Sequence, residues 1–227
     1  MTVQEKIKIH HLFSKSPTVS SRIIELSITN LIGWIPRPLG VLLRRLVYRL
    51  MLARVGRRVY IQTGVEFLGG CLVEIGDDVK IMRDTSFDMR APNSLLRIGN
   101  RTCIDRGVDI RATVSDCLID IGENCYIGPY VCMAGPGYIK IGNECLISSH
   151  TSIYANNHRE NGLSREGIEI QDKCWIGSGV RILDGVTIGK GSVIGAGAVV
   201  NKDIPSFSIA VGVPAKVIKA SKGAGTA

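Results

Sequence analysis

The chain has 227 residues, 45% apolar and 21% charged, a balance that places it among ordinary globular proteins and not among disordered ones. No run of about 18 uninterrupted apolar residues occurs, so no membrane-spanning helix is expected. The formal net charge of +8 is uneven: no Asp or Glu lies between Leu26 and Val65, whereas Arg37, Arg44, Arg45, Arg49, Arg54, Arg57 and Arg58 all do.

The first 58 residues read as a basic, amphipathic helical segment. Leu39, Leu42, Leu43, Leu46, Val47 and Leu50 recur at helical spacing, Pro38 suits a first turn and Gly56 a helix end. Two roles fit this stripe: a cap over whatever follows, or a surface lying on anionic lipid at the membrane face. The arginines are not interleaved with stacking aromatics, so a nucleic-acid partner is not expected.

Residues 59–205 carry a six-residue rhythm. From Ile170 onward an aliphatic residue returns at Ile176, Ile182, Ile188, Ile194 and Val200, with shorter runs such as Ile98, Ile104, Ile110 and Ile141, Ile147, Ile153. Six is a multiple of the strand period of two and fits no helix, so each marker returns to the same face of a short strand. With 26 glycines and 5% aromatics, tight corners and a core of small and branched side chains are predicted. Two residues before many markers sits a small or β-branched residue on the same face, Val79, Cys125, Cys145, Thr151, Cys174, Ser192 and Ala198 among them. Cys125, Cys145 and Cys174 therefore read as packing residues. Seven cysteines without a C-x-x-C spacing or a secretory leader point to a reducing, cytoplasmic setting.

The rhythm breaks at about 154–169, where Asn156, Asn157, His158, Arg159, Glu160, Asn161 and Gly162 follow one another. So polar a stretch is predicted to leave the coil as a loop, the usual place for chemistry on a rigid scaffold. His158, one of only four histidines, is the leading candidate for a general base, since imidazole titrates near working pH. His150, at a position expected to face outward, is the second. Residues 206–227 read as a C-terminal extension.

The pattern of an aliphatic residue, glycine and four more positions with a small fifth residue resembles the hexapeptide-repeat acyltransferases. That resemblance implies an all-β fold, a left-handed parallel β-helix of triangular coils, with Ile170 under Ile188, Ile176 under Ile194 and Ile182 under Val200. The stretch "CWIGSGVRILDGVTIGKGSVIGAGAVVNKDIPSFSIAVGVPAKVI" is similar to the branch acetylating sugars and streptogramins, and "NNHRENG" to the N-H-R-x-x-G loop of the latter. Carried over, His158 is the base, Asn156 or Asn157 orients it or faces the oxyanion, and Trp175 lines the site. Where the sugar branch carries H-x-H, Asn156 stands in the first place. The resemblance further implies acetyl-CoA as co-substrate. Its arm would pass Ser178 and Ala196, with Asn201 and Lys202 beyond, and its phosphates would meet Lys216 and Lys219. It also implies a homotrimer with sites between subunits and O-acetylation of a saccharide-like acceptor such as a polysaccharide, O-antigen or glycolipid precursor, an amine being the alternative. No metal is expected: a carbonic anhydrase on this fold needs three histidines. An inactive scaffold is the remaining alternative.

Overall fold

Strands of two to four residues are too short to stand as hairpins, so a chain of them is stable only if each coil lies on the next and buries a shared core. In a computed structural model, which describes residues 19–159 and 162–220 with backbone alone at 19–22, 158, 159 and 163, the chain does this. Successive strands feed three parallel sheets in turn. The first wall runs from Arg54–Val55 to Thr187–Ile188 and the third from Glu66–Leu68 to Val199–Val200. The second runs from Tyr60–Ile61 to Val193–Ile194, then adds Ser208–Val211 and an antiparallel last strand, Lys216–Ala220. The result is the left-handed parallel β-helix that the repeat predicts. Ile170 pairs with Ile188, Ile176 with Ile194 and Ile182 with Val200, the stacking expected from the period of six.

The markers point inward and are buried from Ile61 to Val200. The small inward slots do more than save space. Thr102 Oγ1 donates to the Gly122 carbonyl at 2.7 Å, Cys125 Sγ to Gly142 at 3.0 Å, Cys145 Sγ to Gln171 at 3.1 Å and Cys174 Sγ to Gly189 at 3.2 Å. Each slot thus ties its coil to a corner carbonyl of the next, satisfying an acceptor that the strand ladder leaves over. The thiols of Cys125 and Cys174 on either side, together with burial, push the Cys145 thiol up, so it stays protonated and structural.

Six residues separate markers across the first and second corners of every coil, and across the corner from the third wall to the first the step is six only from Ile182 to Ile188. In the earlier coils that step is eight from Phe67 to Ile75 and from Met133 to Ile141, eleven from Phe87 to Ile98 and from Ile110 to Ile121, and seventeen from Ile153 to Ile170. All irregularity is confined to one edge of the prism.

Two helices, α1 (Val19–Ile32) and α2 (Leu39–Val47), precede the first coil, and the end of α2 continues as a single 3₁₀ turn, Tyr48–Leu50. They cap the open end, though not through the leucine stripe. Gly40, Arg44 and Tyr48 are the residues buried, while Leu39, Leu42, Leu46 and Leu50 face outward. The reason is chemical: the end of a β-helix presents free carbonyls as well as apolar rungs. Arg44 Nε donates to the Ile61 carbonyl at 3.0 Å, and its Nη1 to the carbonyl of Ile32 at the end of α1 and to those of Gly33 and Ile35 just after it. Glu25 of α1 accepts from the Gly69 and Gly70 amides, at 3.2 and 2.7 Å. Tyr48 supplies the apolar part, its ring edge-on to Phe67, which stacks at 4.9 Å on Phe87.

Candidate active site

Seventeen residues between two markers cannot be absorbed in a corner, and the surplus leaves the wall. It forms a small antiparallel hairpin, His158–Arg159 against Gly162–Leu163, projecting where the third wall turns into the first. His158 is therefore on the outward loop that the broken rhythm predicts; its side chain lies outside the described residues.

The base of this hairpin is firmly tied. Asn157 N–H donates to Ser164 Oγ at 2.9 Å, and Ser164 N–H returns a bond to the Asn157 carbonyl at 3.0 Å. Ser164 Oγ in turn donates to Asp184, whose buried carboxylate also accepts from the amides of Glu166 at 3.2 Å and Gly167 at 2.7 Å. Asp184 belongs to the next coil, so one carboxylate clamps the loop to the wall above it. The Asp-Gly pair at 184–185 reads in the sequence as an ordinary turn, which hid this role. Asn157 holds the hairpin through its backbone, and Asn156 beside it is half-buried.

The corner between the second and third walls has a different character. One residue per coil there adopts a left-handed conformation, among them Tyr130, His150, Gly179 and Gly197. The His150 ring is exposed and stacks on Tyr130, centroids 5.2 Å apart, with the Arg106 guanidinium over the same tyrosine. This stack is a packing role for His150. It ends abruptly above His150. A Cβ added to Gly179 or Gly197 would meet nothing within 4 Å, whereas one on Gly107 would strike the Tyr130 ring. The next two coils thus leave a bare track along the corner, edged by exposed Ser178 and Ala196, which are coil neighbours through the Gly197 amide and the Ser178 carbonyl at 2.8 Å. Ser149 Oγ donates to Ser178 Oγ at 3.3 Å and extends the polar edge downward. Gly179, Gly197 and Ser149 were legible only as repeat positions, since what matters is the space above them.

Trp175 is half exposed on the outer face of the second wall, in register with Leu146 below and Val193 above. The last strand places Lys219 opposite Ile209 and Lys216 opposite Val211 at the upper edge of this wall, both lysines exposed. Asn201 and Lys202 are also exposed, but follow the last strand of the third wall and lie at its far corner. Within one chain, then, Ser178, Ala196, Trp175, Lys216 and Lys219 share one side of the prism. The hairpin of His158 and the pair Asn201 and Lys202 lie across the third wall. A cleft of about 590 Å³ between Trp34, Arg37, Thr63, Glu66 and Asp84 is at the opposite end of the molecule and is lined by none of these residues. Among the described residues no cluster of three metal-ligating side chains exists.

Fold and repeat together define the class: the chain is a hexapeptide-repeat β-helix protein. Residues 167–202 match the family described as bacterial transferase hexapeptide (six repeats). The chain is 40% identical over 108 residues to galactoside O-acetyltransferase of Escherichia coli, covering 44% of this chain and 53% of that one. It is 31% identical over 171 residues to a protein of Mycobacterium tuberculosis named a probable acetyltransferase, covering 62% and 56%. The chain spans about half the length of the curated relatives it matches. Among solved structures, a mutant of AntD, an N-acyltransferase of Bacillus cereus in complex with a dTDP-amino sugar and coenzyme A, shares the fold. Its TM-score is 0.58 at 21% identity, over 77% of this chain and 87% of that one.

Proposed function

We propose that the protein is an acetyl-CoA-dependent O-acetyltransferase acting on a hydroxyl of a saccharide-like acceptor. The observation that carries this reading is the pairing of a clamped, projecting hairpin bearing His158 with a bare corner track at Gly179 and Gly197. The hairpin supplies a base at a fixed place, and the track suits an extended, chain-like group lying against backbone. A pantetheine arm has that shape and hydrogen-bonds along such a track past Ser178 and Ala196. Lys216 and Lys219 at the top of the second wall offer positive charge to its phosphates.

His158 takes the proton from the acceptor hydroxyl as it attacks the thioester carbonyl, and returns it to the departing thiol, so no covalent enzyme intermediate is required. A donor is needed for the oxyanion, and the Asn156 amide, next to the clamped base of the hairpin, is the side chain suited to it. Because hairpin and track lie on different corners, a complete site calls for a second copy of the chain, and three copies packed around a common axis close the arrangement.

The decisive experiment is release of free coenzyme A thiol from acetyl-CoA against a panel of saccharides, nucleotide sugars and amines. Turnover with a hydroxyl acceptor is expected, reduced about 10² to 10⁴-fold in His158→Ala with unchanged melting. Full activity in that variant rejects His158 as the base, and turnover confined to amines rejects the hydroxyl acceptor.

A further inference from the structure

We propose that the outer face of the helical cap docks on an anionic lipid bilayer, so that the β-helix stands up from the membrane on its N-terminal end. The proposal is independent of the acyl-transfer reading. Its starting point is that α2 is used twice. Gly40, Arg44 and Tyr48 already close the first coil, so nothing in the fold needs Leu39, Leu42, Leu46 and Leu50. These four recur at three, four and four residues and form a single stripe, and Leu46 and Leu50 are 67% and 78% exposed. Leu31 and Trp34, at the end of α1 and just after it, are exposed to a similar degree, 70% and 69%. A run of large apolar side chains left in water on elements otherwise well packed marks a surface that something covers.

Charge selects the occupant. Arg37, Arg45 and Arg49 accompany the stripe, and Arg45 makes no ion pair among the described residues. Arg57 and Arg58, in contrast, are neutralised by Asp77 and Asp78 of the next coil. No carboxylate interrupts the sequence from Leu26 to Val65. Two copies meeting through this face would bring like charges together, which opposes self-association. A bilayer accepts both features at once: leucines enter the acyl boundary, arginines reach lipid phosphates and Trp34 sits between them. The helices are already folded and fixed by Arg44 and Glu25, so no ordering cost accompanies docking.

The test is co-sedimentation of the full chain with vesicles of phosphatidylcholine alone and of phosphatidylcholine with phosphatidylglycerol. Binding to the anionic vesicles only, weakened roughly ten-fold or more on going from low to high salt, is expected. Leu42→Gln with Leu46→Gln, and separately Arg45→Gln with Arg49→Gln, should each lower the partition coefficient by at least roughly ten-fold while leaving the melting temperature in place. Absence of binding by the wild-type chain overturns the proposal. So does equal binding to both vesicle types, or a change in oligomeric mass in the leucine variant without any change in vesicle binding, which assigns the face to a second copy.

Discussion

Asp184 shows how much a single side chain can hold. Its carboxylate serves Ser164, Glu166 and Gly167 at once, and these are the residues by which the hairpin returns to the first wall. Asp184→Ala strands buried amides, at about 1–3 kcal/mol each, and releases the hairpin from its wall. We expect turnover to fall roughly 10- to 100-fold, with a small change in the Michaelis constant for acetyl-CoA, because the corner track is on another edge. Steady-state kinetics read the split, and a variant that loses donor binding instead contradicts the role of the clamp. His158 was legible because it interrupts a period; Asp184 was not, because its partners lie a whole coil away in sequence. Cys125, Cys145 and Cys174 were legible as packing residues; Cys117, which falls in no marked slot, is buried as well and makes a pH prediction. Burial pushes the Cys117 thiol from its ordinary value near 9 up to about 12. With the folded value raised, the stabilising difference is intact below pH 9, where neither state is ionised. It is lost as pH climbs from 9 towards 12 and the unfolded thiol alone gives up its proton. Urea unfolding from pH 8 to 11 should show stability declining over that window, less steeply in Cys117→Ala; identical slopes would mean that the thiol is not kept protonated by the fold.

At the scale of the element, periodicity carried most of the information and corners carried little. The markers from Ile61 to Val200 fall on the inward face because a period of six brings every strand back with the same parity. The steps of eight and eleven at the third-to-first corner obey no period, since an exposed bend can lengthen at little cost without disturbing the core. The helical cap misleads for a different reason. Its hydrophobic pattern points to Leu39, Leu42 and Leu46, but the open coil needs donors and acceptors for stranded backbone groups, and these come from Arg44 and Glu25. Polar satisfaction outweighs apolar contact where both cannot be had on one face. Glu25→Ala leaves the Gly69 and Gly70 amides without their acceptor and should lower the melting temperature by several degrees, corresponding to about 2–4 kcal/mol. Leu46→Gln, on the free face, should stay within about 0.5 kcal/mol of wild type. Calorimetry on the two variants checks the assignment; reversed sensitivities would restore the leucines as the capping surface.

The whole molecule is a triangular prism whose first two long faces differ in chemistry. The first wall is a charged ladder, with Arg97 bonded to Glu74 and Lys140 to Glu169 across successive coils. The second presents Tyr126, Leu146 and Trp175 in register, a half-exposed apolar strip next to the bare corner track. The hairpin of His158 leaves from the corner between the third wall and the first, so the hairpin and the track belong to opposite margins of the third wall. The proposed ring of three chains predicts an outcome that a single-chain site does not share. His158→Ala damages the hairpin of a chain and leaves its track whole, whereas Ser178→Trp fills the track and leaves the hairpin whole. Each variant alone should be inactive. When the two are co-expressed and assemble at random in equal amounts, about one interface in four joins an intact hairpin from one chain to an intact track from its neighbour. Activity of the mixed preparation should therefore return to roughly a quarter of wild type, while light scattering reports a mass three times that of one chain. Recovery no greater than that of the separate variants would place base and track within one chain, and would require the hairpin to fold back over its own third wall.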